Sequence, residues 1–327
     1  LKFLGHAGFM YETQNELILM DPWMSTEGAF DSSWYQNPPN HDFGATIRDE
    51  ILSTSKEVYI YISHEHKDHF DIPYLKTLEL SKINFITPKF RRDHVASELS
   101  KLSPKSITTP VDSELIKIGN LEIRLFLDDQ EIVRDSAIGI YDMDLDYTFL
   151  NLNDCKVYDR VDELKNLYSK FDVFTCQFSG AVFHPVCYDY PKNKYTEISE
   201  SKVNGKFGSV KNLIDKFEPK LYIPAAGPPV FLDPNLLSIN FQEVNIFSSP
   251  YKFKSFLNDH MPELKVEVPV PGSSFIYSDQ KIIIDHPVEN VEKLYDKENV
   301  YDYAKKMSYI FEEREAQKVN YEPLEVQ

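Results

Sequence analysis

The sequence predicts an α/β protein, an αββα sandwich in which two β-sheets pack face to face and helices cover their outer sides. Strand-like runs rich in β-branched and aromatic residues fill two halves of the chain, and helix-like segments follow the strands of each half. A sheet buries only one face against its partner, so helices must cover the other. The 42% apolar and 13% aromatic content of the 327 residues can fill such a core.

The first half begins with two strands joined by a polar turn at 13–15. Proline at position 22 ends the second strand because it cannot continue a ladder of hydrogen bonds. Residues 23–49 are rich in Ser, Asn and Pro, so we predict a long loop on the substrate side there. Asp71 is expected to cap a helix that has Pro73 in its first turn. The predicted elements are strands at 1–10, 16–21 and 83–87, and helices at 72–80 and 91–102.

The second half contains two predicted hairpins and then alternating helices and strands. The first hairpin, 114–127, turns at Gly119-Asn120, and the second joins 137–141 to 147–152. Later strands are predicted at 172–178, 220–224, 264–268 and 275–284, and helices at 158–171, 201–217, 251–257 and 291–313. We therefore divide the chain into one domain, 1–284, and a charged helical C-terminal extension, 285–327.

Composition excludes several classes of function. The formal net charge of -17 opposes binding to nucleic acid or to an anionic membrane. No apolar run approaches the roughly 20 residues of a membrane span. Three cysteines without a CxxC pair indicate neither a disulfide framework nor a zinc ribbon, and a cytoplasmic location fits best. Because the chain starts at Leu1 inside a strand-like run, we expect that the true start is missing.

A metal site is predicted at 64–69, directly after a buried strand. His64, His66, Asp68 and His69 lie within six residues. Side chains two apart on an extended segment share a face, so the first two histidines can bind one ion. Asp68 and His69 follow where the chain must turn, and they can bind a second ion a few ångströms away. One metal is expected, and a dinuclear centre is plausible on spacing alone.

This motif resembles the His-x-His-x-Asp-His signature of the metallo-β-lactamase superfamily. More narrowly, the chain resembles the metallo-β-lactamase-like domain of CMP-N-acetylneuraminate hydroxylases. The similarity extends over roughly residues 5–275, through short matches at 5–7, 18–23, 59–69, 150–155, 178–180 and 224–227. It implies the metallo-β-lactamase type of αββα sandwich.

The resemblance also implies a set of metal ligands. His64 and His66 would bind the first metal, Asp68 and His69 the second, and Asp154 would bridge them. As the last residue of a strand region, Asp154 is placed to reach a cleft, although a turn aspartate is an equal alternative from the residues alone.

Two further residues are weighed beside those ligands. Asp21 would hold the other ring nitrogen of a histidine ligand, or it simply starts an Asp-Pro turn. His6 could approach the same cleft or pack in the core.

Two departures from the hydrolases of this fold bear on the metal. Residues 127–135 contain no histidine to complete the first site, and Glu131 aligns closest, with Asp128 and Asp129 as alternatives; a solvated hairpin end is the other interpretation. Carboxylates favour iron or manganese over zinc. Gly227 occupies the place of the final histidine, so the second metal keeps an open position unless His184 reaches it. His184 is equally well an ordinary loop histidine.

The predicted activity is that of a dinuclear non-haem iron oxygenase that uses dioxygen to hydroxylate a small polar metabolite, such as an N-acyl compound or a nucleotide sugar. Asp68, Asp154 and Glu131 are its candidate catalytic residues. Such chemistry needs electrons, so an external donor protein, or a segment before Leu1, is expected. Lys192, Lys194 and Lys206 are the candidate cations for an anionic substrate.

The alternative is a zinc- or manganese-dependent hydrolase, a lactonase or phosphodiesterase, that uses a metal-bound hydroxide. A third possibility is a binding protein that does no chemistry. The set of five metal-binding side chains argues against it.

Overall fold

The computed structural model describes residues 1–130, 134–182, 184–188 and 190–318, and it confirms the αββα sandwich with a helical C-terminal region. One sheet has eight strands in the order β14-β13-β1-β2-β3-β4-β5-β6, and the other has six in the order β12-β11-β10-β9-β8-β7. The strands are β1 Lys2–Gly5, β2 Gly8–Glu12, β3 Glu16–Met20, β4 Glu57–Tyr61, β5 Ile83–Ile86, β6 Ser106–Thr108, β7 Leu115–Ile118, β8 Leu121–Asp129, β9 Arg134–Asp142, β10 Tyr147–Asn151, β11 Val173–Gln177, β12 Leu221–Ala225, β13 Ser274–Ser278 and β14 Lys281–Asp285.

Helices cover both outer faces. The first sheet is covered by α1 His41–Ser53, α2 Ile72–Leu75 and α3 His94–Ser100, and the second by α4 Val161–Leu167, α5 Lys192–Phe217 and α6 Pro250–His260. Short 3₁₀ turns occupy Leu80–Lys82, Leu237–Phe241 and Glu292–Tyr295. None of the helices that the structure describes combines the length and hydropathy needed to cross a bilayer.

Strand β4 shows how the sequence divides between the layers. Val58 and Ile60 pack in the cluster under the helices, and Tyr59 and Tyr61 point to the cluster between the two sheets. Successive side chains of a strand face opposite ways, so a strand buried on both faces reads as a continuous apolar run. That burial fixes the register of β4, and it fixes where the chain leaves the sheet at residue 62.

The C-terminal extension consists of α7 Lys297–Lys306 and α8 Ser308–Lys318 in its described part. Val300, Tyr303, Met307 and Phe311 form one apolar face of these helices and pack on Tyr35, Val230 and Leu232. The helices therefore cover loops of the sandwich, and they do so at the end of the sheets where residues 62–71 also lie.

Several predicted elements differ in extent. The strand expected at 1–10 is a hairpin, because Gly5 and His6 adopt positive φ angles of 123° and 50° and turn the chain. The loop expected at 23–49 contains the start of α1, whose Ile47 and Ile51 are spaced for one buried helix face. The helix predicted at 291–313 is divided at Met307, and the strand at 264–268 is a single bridge from Val266 to Tyr222.

Candidate metal centre

The predicted ligands gather where the two sheets meet, beyond the ends of β4 and β10. Hydrogen bonds across the sheets fix this junction: Ser136 Oγ donates to the Ser63 carbonyl at 2.8 Å, and Tyr61 Oη donates to the Ser136 carbonyl at 2.9 Å. Asn153 Nδ2 donates to the same carbonyl at 3.3 Å. Ser63 and Asn153 directly precede the candidate ligands His64 and Asp154 in the chain, so the sandwich itself brings the loop after β4 to the strands of the second sheet.

His64 and His66 converge as their spacing predicts. His64 Nε2 and His66 Nδ1 lie 2.8 Å apart, and the ring centroids are 4.5 Å apart. His64 is fully buried, whereas His66 is partly exposed and lies beside the ring of Phe30, with centroids 5.9 Å apart. Two ring nitrogens this close, with no backbone between them, can share one cation.

Asp135 joins this pair, and the sequence reasoning missed it. Its Oδ1 lies 2.9 Å from His64 Nδ1, and the side chain is buried. Arg134, the preceding residue, pairs with Glu65 between the two histidines and holds the start of β9 against the metal loop. The alternation of side chains along β9 could have identified Asp135, because Asp135 and Ala137 share one face of the strand.

His69 is held by Asp21 on one side and faces two carboxylates on the other. Asp21 Oδ2 lies 2.8 Å from His69 Nδ1, and Asp21 also accepts hydrogen bonds from the Ser63 backbone N–H and hydroxyl at 2.8 and 2.6 Å. Asp21 has a φ of 42° at the end of β3. The contact expected between Asp21 and a histidine is therefore present, and it leaves His69 Nε2 directed into the cluster.

Asp68 and Asp154 surround that ring nitrogen. His69 Nε2 lies 3.7 Å from Asp68 Oδ2 and 3.7 Å from Asp154 Oδ2. Two sets of ligand atoms lie within 4.8 Å of one another, His64 with His69 and Asp154, and His6 with Asp68 and His69. Asp154 belongs to the first of these sets and not to the second, and its role as a bridge stays a prediction.

Buried polar atoms without a partner test whether these residues fit metal ions. Within the described residues, Asp68 Oδ1, His69 Nε2 and Asp154 Oδ1 are such atoms. His6 Nε2 and Asp135 Oδ1 make no hydrogen bond either, but they lie 3.2 Å from Asp68 Oδ2 and 2.9 Å from His64 Nδ1. Leaving one buried polar group unsatisfied costs about 1–3 kcal/mol, more if it is charged. A set of converging imidazole nitrogens and carboxylate oxygens is satisfied by divalent cations, so the donor set fits a dinuclear metal centre.

The pKa values within the cluster reflect the same crowding. Burial works to lower the pKa of His69, but Asp68, Asp21 and Asp154 outweigh it and hold that pKa well above its ordinary value. Burial works to raise the pKa of Asp154, but His69 and His64 lower it. The pKa of His66 is lowered by burial and by His64. Without metal, the His69 side is an ion-paired network.

Other predicted residues have different surroundings. Glu131 lies outside the described residues, so its role as a ligand and in catalysis stays a prediction. Asp129 accepts a hydrogen bond from the Arg91 backbone N–H at 3.0 Å, away from the ligand groups. The structure does not bring His184 to those groups: its Nε2 lies 2.8 Å from Ser199 Oγ, and its ring stands beside Tyr195.

Gly227 lacks a side chain for a structural reason. Its φ of 140° is unfavourable for any other residue, and a Cβ at this position would overlap Ser179 Oγ. Ser179 lies just after β11, and its hydroxyl is buried without a partner among the described residues. A histidine cannot stand at 227 while this serine keeps its place.

Comparison with other proteins places these features in a family context. Residues 1–140 match the model of the beta-lactamase superfamily domain. The chain is 27% identical over 319 residues to a protein of Mycolicibacterium smegmatis, and 28% identical over 331 residues to proteins of Mycobacterium tuberculosis; all are named as Rieske 2Fe-2S iron-sulfur proteins. These alignments cover 93–96% of the chain but only 59–61% of the relatives, so the chain spans about three fifths of their length.

A solved structure of similar fold is CmlA from Streptomyces venezuelae, described as a diiron beta-hydroxylase. It superposes with a TM-score of 0.53 at 15% identity and covers 83% of this chain and 52% of its own. Its E377D mutant superposes with a TM-score of 0.54 at 13% identity. Together with the match over residues 1–140, the two packed sheets and their covering helices show that this chain has the fold of the metallo-β-lactamase superfamily.

Proposed function

We propose that the chain is a dinuclear non-haem iron oxygenase that hydroxylates a small polar metabolite. The observation that carries the proposal is the carboxylate content of the donor set: Asp68 and Asp154 converge on His69, and no third histidine for the first metal is found in 127–135. Asp135 adds a carboxylate at Nδ1 of His64, on the ring side away from the His66 contact, where it orients that histidine. Hard oxygen donors favour iron and manganese over zinc.

CmlA supports this reading of the donor set. That protein is described as a diiron beta-hydroxylase, and its chain has the same fold over most of the length of this one. The narrower likeness to CMP-N-acetylneuraminate hydroxylases rests on the sequence motifs alone. We therefore propose hydroxylation as the reaction class. Oxygen uptake measured with several candidate compounds, as described below, identifies the substrate.

The side chains of this chain would orient the ligands and keep water out. Asp21 accepts from His69 Nδ1 and so fixes the tautomer in which Nε2 carries the free lone pair. Asp135 is placed to do the same for His64, because it contacts Nδ1 and leaves Nε2 facing His66. Bound iron would supply dioxygen activation, which needs an open coordination position. The first metal has room for such a position, because 127–135 supplies no third histidine and His66 lies on the exposed side of the cluster.

The substrate would enter from the side of His66, which is partly exposed beside Phe30 in the loop between β3 and α1. One half-buried cation also lies within reach of the charge of Asp154. Lys206 Nζ donates to Gln177 Oε1 at 2.9 Å, and burial lowers its pKa. Lys192 and Lys194 are exposed in the first turn of α5, so Lys206 is the better candidate to meet an anionic group of the substrate.

Electrons would come from an external iron-sulfur centre of the Rieske [2Fe-2S] type. The relatives are named as Rieske 2Fe-2S proteins, and about two fifths of their length lies outside the region that this chain spans. A Rieske centre is a one-electron carrier, so two transfers would accompany each hydroxylation. The donor is proposed either as a separate protein or as a further part of the same polypeptide.

The test is metal analysis of protein produced with iron, followed by oxygen consumption with a chemical reductant and candidate N-acyl and nucleotide-sugar compounds. We expect about two iron ions per chain, visible absorption that changes on reduction, and substrate-dependent oxygen uptake. Stoichiometric zinc without iron affinity or redox activity would refute the oxygenase.

A hydrolase remains the second candidate, because the family model that matches residues 1–140 is that of the beta-lactamase superfamily domain. In that case a metal-bound water of pKa near 7 would attack a lactone or phosphodiester. Hydrolysis of such compounds by zinc- or manganese-loaded protein, with no oxygen uptake by the iron form, would favour it over the oxygenase.

A further inference from the structure

We infer that His6 is a ligand of the second metal, the ion bound by Asp68 and His69, and that it supplies the histidine that Gly227 lacks. The inference rests on the proposed dinuclear centre, although it holds for any divalent metal there. It concerns a residue 58 positions before the metal motif begins at His64, and so outside the loop that provides four of the other ligands.

The position of the His6 ring is the first observation. Its Nε2 lies 3.2 Å from Asp68 Oδ2, and only 4% of the side chain is exposed. Nε2 has no hydrogen-bond partner among the described residues, and neither has Asp68 Oδ1. The ligand atoms of His6, Asp68 and His69 lie within 4.8 Å of one another. Burying these unsatisfied atoms together is unfavourable unless something binds between them.

The separation of these atoms agrees with coordination of one ion. Ligand nitrogen and oxygen atoms each about 2.1 Å from a metal lie roughly 3.0–3.4 Å apart in octahedral or tetrahedral geometry. The 3.2 Å between His6 Nε2 and Asp68 Oδ2 falls within that range. The 3.7 Å between His69 Nε2 and Asp68 Oδ2 is slightly longer, and a bound cation would draw the three atoms together.

The backbone explains why His6 reaches this position. The turn between β1 and β2 has positive φ angles at Gly5 and His6, which lifts the imidazole out of the strand. The carbonyl of His6 accepts a hydrogen bond from the Ala226 backbone N–H at 2.9 Å, and His6 lines the same cavity as Gly227. The β1–β2 turn is therefore fastened next to the segment that provides the final histidine in hydrolases of this fold.

Packing alone does not account for His6. Its ring makes edge contacts with Trp23 and His69, with centroids 5.2 and 5.4 Å apart. A phenylalanine would make the same contacts without burying a nitrogen against Asp68. A ring nitrogen buried 3.2 Å from a carboxylate oxygen is what a core residue would not need and what a metal ligand requires.

The experiment is titration of the metal-free full-length chain with Co²⁺, followed by visible absorption, for the wild type, His6→Phe and His6→Gln. His6→Phe keeps the ring contacts and removes the nitrogen, and His6→Gln returns a polar donor of similar reach. His260→Phe is the matched control, because His260 is exposed at the end of α6 and contacts Phe256. Far-ultraviolet circular dichroism and thermal melting establish that each variant is folded.

We expect the second Co²⁺ to bind His6→Phe at least about 10-fold more weakly, with altered d–d absorption of that ion, while the first Co²⁺ is unaffected. His6→Gln should recover part of the affinity, and His260→Phe should match the wild type. Wild-type affinity and an unchanged spectrum in His6→Phe would overturn the inference, as would weaker binding with an unchanged spectrum or a wild type that binds a single Co²⁺.

These outcomes are separate from those of the proposed function. Two Co²⁺ ions with a His6-dependent spectrum, in a protein whose iron form takes up no oxygen, would refute the oxygenase and retain His6 as a ligand. If His6→Phe fails to fold, the same Co²⁺ titration and absorption measurement is made on His6→Gln.

Discussion

The two sides of the metal cluster are built differently. Around His69, three carboxylates and a second histidine are packed in a largely buried network, with Asp21 hydrogen-bonded to Nδ1. Around His66, the site is exposed, and one carboxylate, that of Asp135, contacts His64. The buried side is suited to hold a metal in fixed geometry, and the open side is suited to receive a second reactant.

The largest effect is expected at His69, which belongs to both groups of converging ligand atoms. His69→Ala should lower the affinity for the second metal by at least about 100-fold and abolish oxygenase turnover. Metal analysis after gel filtration measures the loss, with His94→Ala as the control, because His94 is exposed at the start of α3. Full occupancy of both metal positions in His69→Ala would contradict the central place given to this ring.

Asp21 tests whether the buried side depends on a positioning residue. Asp21→Asn keeps the size of the side chain but removes the charge that fixes the His69 tautomer, so we expect a loss of roughly 10–100-fold in metal affinity. The effect should be confined to the second metal, which Co²⁺ titration resolves from the first. Equal weakening at both metals would indicate a general disturbance of the Ser63 hydrogen bonds.

Asp135 and Glu131 are the two candidates for the acidic residue that supports the first metal, on the exposed side of the cluster. We expect Asp135→Ala to weaken the first metal by about 10-fold or more, because Asp135 lies 2.9 Å from His64 Nδ1. Glu131→Ala is the matched comparison four residues away in the chain. If Glu131→Ala loses metal and Asp135→Ala does not, the acid beside His64 was wrongly chosen and the sequence alignment was right.

The smallest expected effect concerns how the stability of the fold depends on pH. The metal-free chain should lose stability as the pH rises above about 6.5, whereas the stabilisation by added metal should grow with pH. Because the pKa of His69 is raised in the folded state, its stabilisation is complete below the unfolded value near 6.5 and is lost as pH rises through the folded pKa. Asp154 has a lowered pKa, so its stabilisation is lost as pH falls below about 4.

Thermal melting of the metal-free chain should therefore be highest between about pH 4 and 6.5 and decline above it. Metal binding needs deprotonated ligands, so the increase in melting temperature on adding metal should grow with pH over the same range. His69→Ala should flatten the alkaline decline of the metal-free protein. A metal-free melting temperature that rises from pH 6.5 to 9 would contradict the pairing described for His69.

Most of the fold followed from local patterns. The hairpins at Gly119-Asn120 and Met143–Asp146 and the helix cap at Asp71 carry strong local signals, and they lie where the sequence predicts them. The errors lie where tertiary contacts decide. The turn at His6 interrupts an apolar run, and α1 begins within a segment whose polar composition resembles a loop.

The sequence by itself predicted the loop 64–69 as a metal site, because four candidate ligands within six residues need no long-range information to be recognised. The family resemblance predicted the association of Asp21 with a histidine, beside the alternative of an Asp-Pro turn. Only the tertiary structure decided that Asp135 stands beside His64 and that His6 faces Asp68. These contacts join residues 62 and 71 positions apart through the packing of strands, and the spacing of a sequence motif does not record which strand ends meet.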